Sequence, residues 1–282
     1  MCKKIIKNDN YIINAALQSG KFLLDGFQSK YFFSNSNLNE MDNIPTFKSS
    51  SELVLEEDIK SQNIIIESIN KFDPDSKIYS EELSNLNTLN VDTSNRKYLI
   101  DPLDGTHNYY YGLPFWGVSI AVLDSYNNSV FGVIYLPFYD LLIYGDGDQT
   151  FTKHKGISIK SSSTRNTLIS KSLICYDSNP FRISEYAEKL YRLVSRFSFC
   201  IRTTGSAVFD TALIATGSSS ARIWNNTNSY DIAASIPIVN GIGGKITDHT
   251  GKKCSIFTSS VVASSSSSIH TELLDLFKQI VP

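Results

Sequence analysis

The 282-residue chain has little cysteine, and Cys2, Cys175, Cys200 and Cys254 each stand alone. That scatter excludes both a disulfide-dense scaffold and the close cysteine pairs of a zinc site, so the four read as reduced packing thiols. An excess of positive charge is missing as well. Lys and Arg number 26 against 28 Asp and Glu, for a formal net charge of -2, which leaves no broad basic face for a nucleic-acid polymer. No apolar run approaches the ~20 residues needed to cross a bilayer. The apolar residues near the amino terminus are broken up by Lys7, Asn8, Asp9 and Asn10, so no secretory core forms and the cytoplasm is the expected compartment. There is no internal repeat.

What is present is ordinary for a globular protein. Hydrophobic residues make up 41% and charged residues 19%, enough at this length to bury a substantial core. Two lobes are expected, over residues 1–160 and 161–282. In the first, Ile12, Ala15, Ala16, Leu23 and Phe27 recur at helical spacing, a polar loop follows over 34–43, and Leu55, Ile59, Ile66 and Ile69 predict a second helix over 52–69 that contains Asp58. Apolar runs at 98–100, 116–123, 130–136 and 141–144, joined by short turn-rich segments, predict antiparallel strands. Beyond residue 163 the order becomes strand and helix in alternation, with strands at 172–176, 197–201 and 221–224 and helices at 185–195, 206–215, 231–240 and 271–280. This is α/β grammar. The serine run at 264–268 is expected to contain the last helix's cap.

Chemistry concentrates at Leu99-Ile100-Asp101-Pro102-Leu103-Asp104-Gly105-Thr106-His107-Asn108. A buried strand that ends in two acids three residues apart, with Pro102 resisting helix between them, brings two carboxylates together. Such a pair needs a compensating proton or cation, and hard oxygen ligands suit Mg²⁺. Gly105 then lets the chain turn, and a helix starting there offers N–H donors to a phosphate. An isolated Asp-Gly-Thr is more often a simple turn. The covalent aspartyl phosphatases of the haloacid dehalogenase class carry Asp-x-Asp-Gly-Thr, whose acids are one residue closer than Asp101 and Asp104.

Several ordered pieces together resemble the inositol monophosphatase superfamily of magnesium-dependent, lithium-sensitive phosphatases. They are Ser80-Glu81-Glu82, the run from Asp101 to Thr106 with Asn108, Tyr111-Gly112-Leu113-Pro114-Phe115, Gly205-Ser206-Ala207, and Tyr230-Asp231-Ile232-Ala233-Ala234 followed by Gly243-Gly244. They span roughly residues 47–251. The resemblance implies a layered α-β-α-β-α fold, an antiparallel-sheet lobe followed by an α/β lobe, and hydrolysis of a small phosphate monoester such as an inositol or sugar phosphate. It also implies two or three Mg²⁺ ions held by Glu81, Asp101, Asp104, Asp231 and the Leu103 carbonyl, with Glu82 a possible contributor. Thr106 would orient the attacking water and Asp58 would accept its hydrogen bond. Gly105 and Thr106 would bind phosphate through their amides, and Gly205, Ser206, Ala207 and Trp224 would meet the rest of the substrate. A homodimer is expected, as are no membrane and no nucleic-acid partner.

The match departs from the family at several points. Leu55 stands where a Thr usually precedes Asp58, His107 replaces a Thr, and Tyr230 replaces a Trp. Trp224 stands where inositol-type members have a Glu, and it cannot accept hydrogen bonds from sugar hydroxyls. It reads equally as a stacking surface or as core. Arg222 reads as a surface charge, His107 as a polar packing or surface residue, and Tyr109, Tyr110 and Tyr111 as packing at a lobe or subunit contact. Trp224 as a stacking surface would suit a 3′(2′),5′-bisphosphate nucleotidase, the second reading. A non-catalytic member of the same fold is the third.

Overall fold

The computed structural model describes residues 10–33, 46–49, 52–83, 86–91, 96–162, 168–177 and 184–280. The loop expected at 34–43 lies outside them. Helix α1 (Asn10–Gln28) buries Ile12, Ala15, Ala16, Leu23 and Phe27, the stripe that its spacing predicts. Helix α2 (Glu56–Phe72) starts later than expected, because residues 52–54 form β2 (Glu52–Val54), paired antiparallel with β1 (Thr46–Ser49). Leu53 and Leu55 are both buried, an alternation of two that belongs to extended chain rather than to helix. The two helices lie side by side, and Ser19 and Ser61 share a 2.6 Å hydrogen bond between them.

Beneath them runs a seven-stranded sheet in sequence order: β3 (Lys77–Ser80), β4 (Lys97–Asp104), β5 (Gly117–Leu123), β6 (Ser129–Leu136), β7 (Leu141–Gly145), β8 (Thr150–His154) and β9 (Ile157–Ser161). The meander from β4 to β9 is antiparallel, as the short turns predict, but β3 joins β4 in parallel. Both faces of the central strands are buried. Tyr98, Ile100, Ile120 and Val133 pack under α1 and α2, while Leu99, Ala121, Ile134 and Ile143 face the other way.

On that second face lie α5 (Ala207–Ala215), α6 (Ser229–Ala233) and α7 (Ser235–Gly241), a middle layer covered in turn by a five-stranded sheet. Its order is β11 (Cys200–Arg202), β10 (Leu173–Tyr176), β12 (Ala221–Trp224), β14 (Val261–Ser264) and β13 (Lys245–Asp248). Only β11, β10 and β12 are parallel. The hydrophobic pattern did not reveal β13 and β14, which run antiparallel to their neighbours. The single helix expected at 231–240 is two helices meeting at Ala234. Helices α4 (Glu185–Phe197) and α8 (Ser267–Phe277) close the outer face. Ser266 caps α8 by accepting from the Ile269 amide. The molecule is therefore a layered α-β-α-β-α assembly of mixed α+β class. No helix among the described residues is long and apolar enough to span a membrane.

Candidate active site

In a regular strand, residues three apart point to opposite faces. Asp101 and Asp104 escape that rule through an irregularity in register. Asp101 sits opposite Ser119 and Asp104 opposite Gly117, so β4 uses three steps where β5 uses two. The extra residue is a bulge, and it returns both acids to one side of the sheet. The strand, expected from its apolar run at 98–100 to end in the two acids, runs from Lys97 through Asp104 with this kink. The Asp101 carboxylate accepts from the Leu103 amide at 3.1 Å, and the Pro102 carbonyl accepts from Ser61 at 2.6 Å, which pins the kinked segment to α2.

Asp231 reaches the same place from α6. One of its oxygens accepts from Thr227 and from the Asn228 amide, both at 2.9 Å. Carboxylate oxygens of Asp101, Asp104 and Asp231 lie within 4.8 Å of one another. Glu81 arrives by register: Ser80 pairs with Ile100, so the next residue on β3's course lies beside Asp101. It lines the same cleft of about 450 Å³ but stands outside the tight trio, and Glu82 is not among the lining residues.

Charge crowds this point. Burial, reinforced by the negative charges of Glu81, Asp104, Asp231 and Asp58, pushes the Asp101 carboxyl well above its usual range. Burial raises Asp104 too, against a short hydrogen bond from the Ser206 hydroxyl and another from the Val208 amide at 2.9 Å. Asp231 is pushed up to about 6 by desolvation and by Asp104. Three acids held together at this cost form an oxygen donor set that suits a hard divalent cation.

These shifts make a prediction. Asp231 titrates near 6 in the fold and at about 3.9 in an unfolded chain, so across that window the folded state binds more protons and stability falls as pH rises. Buried His249 and His270, lowered to about 4, work in the opposite sense, so only a comparison that shares them isolates the acid. In EDTA, Asp231→Asn is expected to raise Tm at pH 8, with the advantage disappearing as pH drops through 6 to 4. Thermal scans at the two pH values check it.

Beside the trio, the Thr106 hydroxyl lies 3.2 Å from Asp58 Oδ1 and 3.0 Å from the Leu103 carbonyl. Asp58 is buried rather than on the surface, and its other oxygen accepts from the Leu55 amide at 2.8 Å. The backbone at position 55 thus orients Asp58 although its side chain carries no hydroxyl. Gly105, at φ 86°, makes the turn from β4 into α3 (Thr106–Tyr110). His107 is exposed at the rim. Tyr109 and Tyr110 are packed inside and Tyr111 is exposed.

The opposite wall comes from the second sheet and the middle helices. Gly205, Ser206, Ala207 and Trp224 all line the cleft. The Ser206 side chain is occupied within the protein, donating to Asp104 and capping α5 through the Phe209 amide. Trp224 is core, 1% exposed although it lines the cleft, and its indole N–H meets no partner among the described residues. Arg222 is not a surface charge. It is 5% exposed, paired with Asp210 and stacked 4.2 Å from the Trp224 ring centre. Sequence reasoning passed over Asp210, Thr227 and Asn228; an acid within the largely apolar α5 was the available signal.

The sequence model of the inositol monophosphatase family matches residues 8–281. The chain belongs to that family. Among relatives of this inositol monophosphatase family member, the fructose-1,6-bisphosphatase/inositol-1-monophosphatase of Thermotoga maritima is 27% identical over 243 residues, covering 86% of this chain and 88% of that protein. The Nus factor SuhB of Escherichia coli is 31% identical over 222 residues, 77% of this chain and 79% of its own. The structure of the extragenic suppressor protein suhB from Bartonella henselae superposes with a TM-score of 0.79 at 24% identity, covering 96% of this chain and 98% of that one, which establishes the shared fold.

Proposed function

We propose that the protein hydrolyses a small phosphate monoester, of the inositol-phosphate or sugar-phosphate kind, with water as the nucleophile and Mg²⁺ as cofactor. The observation that carries this is the meeting of Asp101, Asp104 and Asp231 within 4.8 Å, beside a Thr106 hydroxyl within reach of Asp58. Glu81, Asp101, Asp104, Asp231 and the Leu103 carbonyl would hold two or three ions. The chemistry supplied by Mg²⁺ bound there is activation of water near neutral pH and neutralisation of phosphoryl charge.

The remaining work falls to the chain. Thr106 has one hydroxyl proton; when Asp58 accepts it, the Thr106 oxygen is left as an acceptor that turns a water's lone pair toward phosphorus. The amides of Gly105 and Thr106 meet the phosphoryl oxygens where charge develops. The segment from Gly205 to Ala207, with Trp224 behind it, bounds the leaving group.

Two other readings have one observation each. A bisphosphate nucleotidase would need a free indole face, whereas Trp224 is buried and Arg222 covers one side. A binding role without turnover draws only on the likeness to a protein named as a Nus factor. A panel of phosphate esters assayed with Mg²⁺, then with EDTA, then with Mg²⁺ restored, separates the three. Reversible release from sugar or inositol phosphates is expected; turnover confined to bisphosphorylated nucleotides, or none from any ester, would replace the proposal.

A further inference from the structure

Asp104 is gripped by Ser206, and Ser206 is itself held by a charge pair sealed inside the protein. Arg222 Nη1 donates to the Ser206 carbonyl at 3.1 Å, and Arg222 Nε stands 3.2 Å from Asp210 Oδ2. Asp210 Oδ1 accepts from the Thr204 hydroxyl at 2.6 Å, while Asn108, on α3 of the first sheet's side, donates to the Thr204 carbonyl at 2.9 Å. The guanidinium lies over the Trp224 ring, so it has little freedom to swing away from the Ser206 carbonyl that it donates to or from the Asp210 charge that it pairs with.

We propose that the Arg222–Asp210 pair is a positioning device for Asp104, fixing the loop of residues 203–206 so that the Ser206 hydroxyl aims the carboxylate into the acid trio. The proposal rests on the metal-site reading given above. Ser206, whose hydroxyl meets Asp104, also presents its carbonyl to Arg222; loss of the guanidinium leaves that carbonyl with the Asp210 amide at 3.2 Å and the Thr204 hydroxyl at 3.4 Å and loosens the hydroxyl end. Asp104 would still be buried and would still accept from the Val208 amide, but without the aimed Ser206 hydroxyl its carboxylate would be set less firmly toward Asp101 and Asp231. A lysine keeps the charge but has no planar fork with which to hold Ser206 and Asp210 together.

The test reads metal affinity rather than turnover. Mn²⁺ is titrated calorimetrically into the metal-free wild type, Arg222→Lys, Arg222→Met and the double variant R222M/D210N, with melting curves for each. Arg222→Met alone strands a buried carboxylate and is expected to lose both Tm and affinity. The double variant removes that stranded charge while its Asn still accepts from Thr204, so Tm should recover. Its Mn²⁺ Kd should nevertheless remain weakened by about tenfold or more, the usual effect of losing a group that orients a ligand. A wild-type Kd in the double variant would overturn the proposal and leave Arg222 a stability residue only. If the double variant does not fold, Arg222→Lys decides in the same way, by a weakened or an unchanged Kd. Failure of the wild type to bind Mn²⁺ at all would remove the metal site itself, an outcome distinct from an unchanged Kd in the variants.

Discussion

Asp101→Asn is expected to lower kcat/KM by at least ~10³-fold, about 4 kcal/mol of transition-state stabilisation. The substitution keeps the shape of the side chain and its ability to accept from the Leu103 amide, so the bulge in β4 should persist. It removes the charge most crowded by its neighbours, since Glu81, Asp104, Asp231 and Asp58 all act on it. The fold should not suffer, because relief of that repulsion favours the metal-free protein. Kinetics on the best ester from the panel, together with a melting curve, provide the check. A variant that keeps near-normal turnover would place the reacting centre elsewhere.

Gly105→Ala is expected to cost at least ~10² in kcat, for a reason independent of charge. A Cβ there would stand 2.6 Å from the Phe115 carbonyl oxygen and 3.2 Å from the Trp116 Cα, both backbone atoms that cannot rotate away. The residue also has φ +86°, which costs an alanine about 1–2 kcal/mol. The chain must shift between Asp104 and Thr106, and both are central to the proposed chemistry. Gly156→Ala is the control: its φ is +81° but nothing lies within 4 Å, so it should lose a little stability and no activity. Equal kcat losses in the two variants would mean that general destabilisation, and not displacement of the site, is responsible.

Much of the site could be read in the chain because its residues fall in short local runs with unusual chemistry. The acids at 101 and 104 were visible, but the means of their convergence was not. Pro102 suggested resistance to helix, whereas the register against β5 shows an added residue, and register belongs to a pair of strands. Strands β4 to β7 stood out through their buried apolar runs. β9, with all but one residue exposed, lacked such a signal. β13 has a single buried residue, Ile246, and owes its place to pairing with β14. Arg222 was misjudged because its partner lies on a different element. A hint was present, since two-residue alternation puts Arg222 on the same side of β12 as Trp224.

Asp101 and Asp104 belong to the seven-stranded sheet, and Asp231 to a helix that follows the parallel strands of the other sheet. A cation shared among them would act as a removable rivet, joining stretches of polypeptide that are far apart in sequence, much as a cross-link closes a long loop. Loading the cleft should therefore do more than enable chemistry: it should make the elements that carry the three acids come apart together, and shield them from proteolysis.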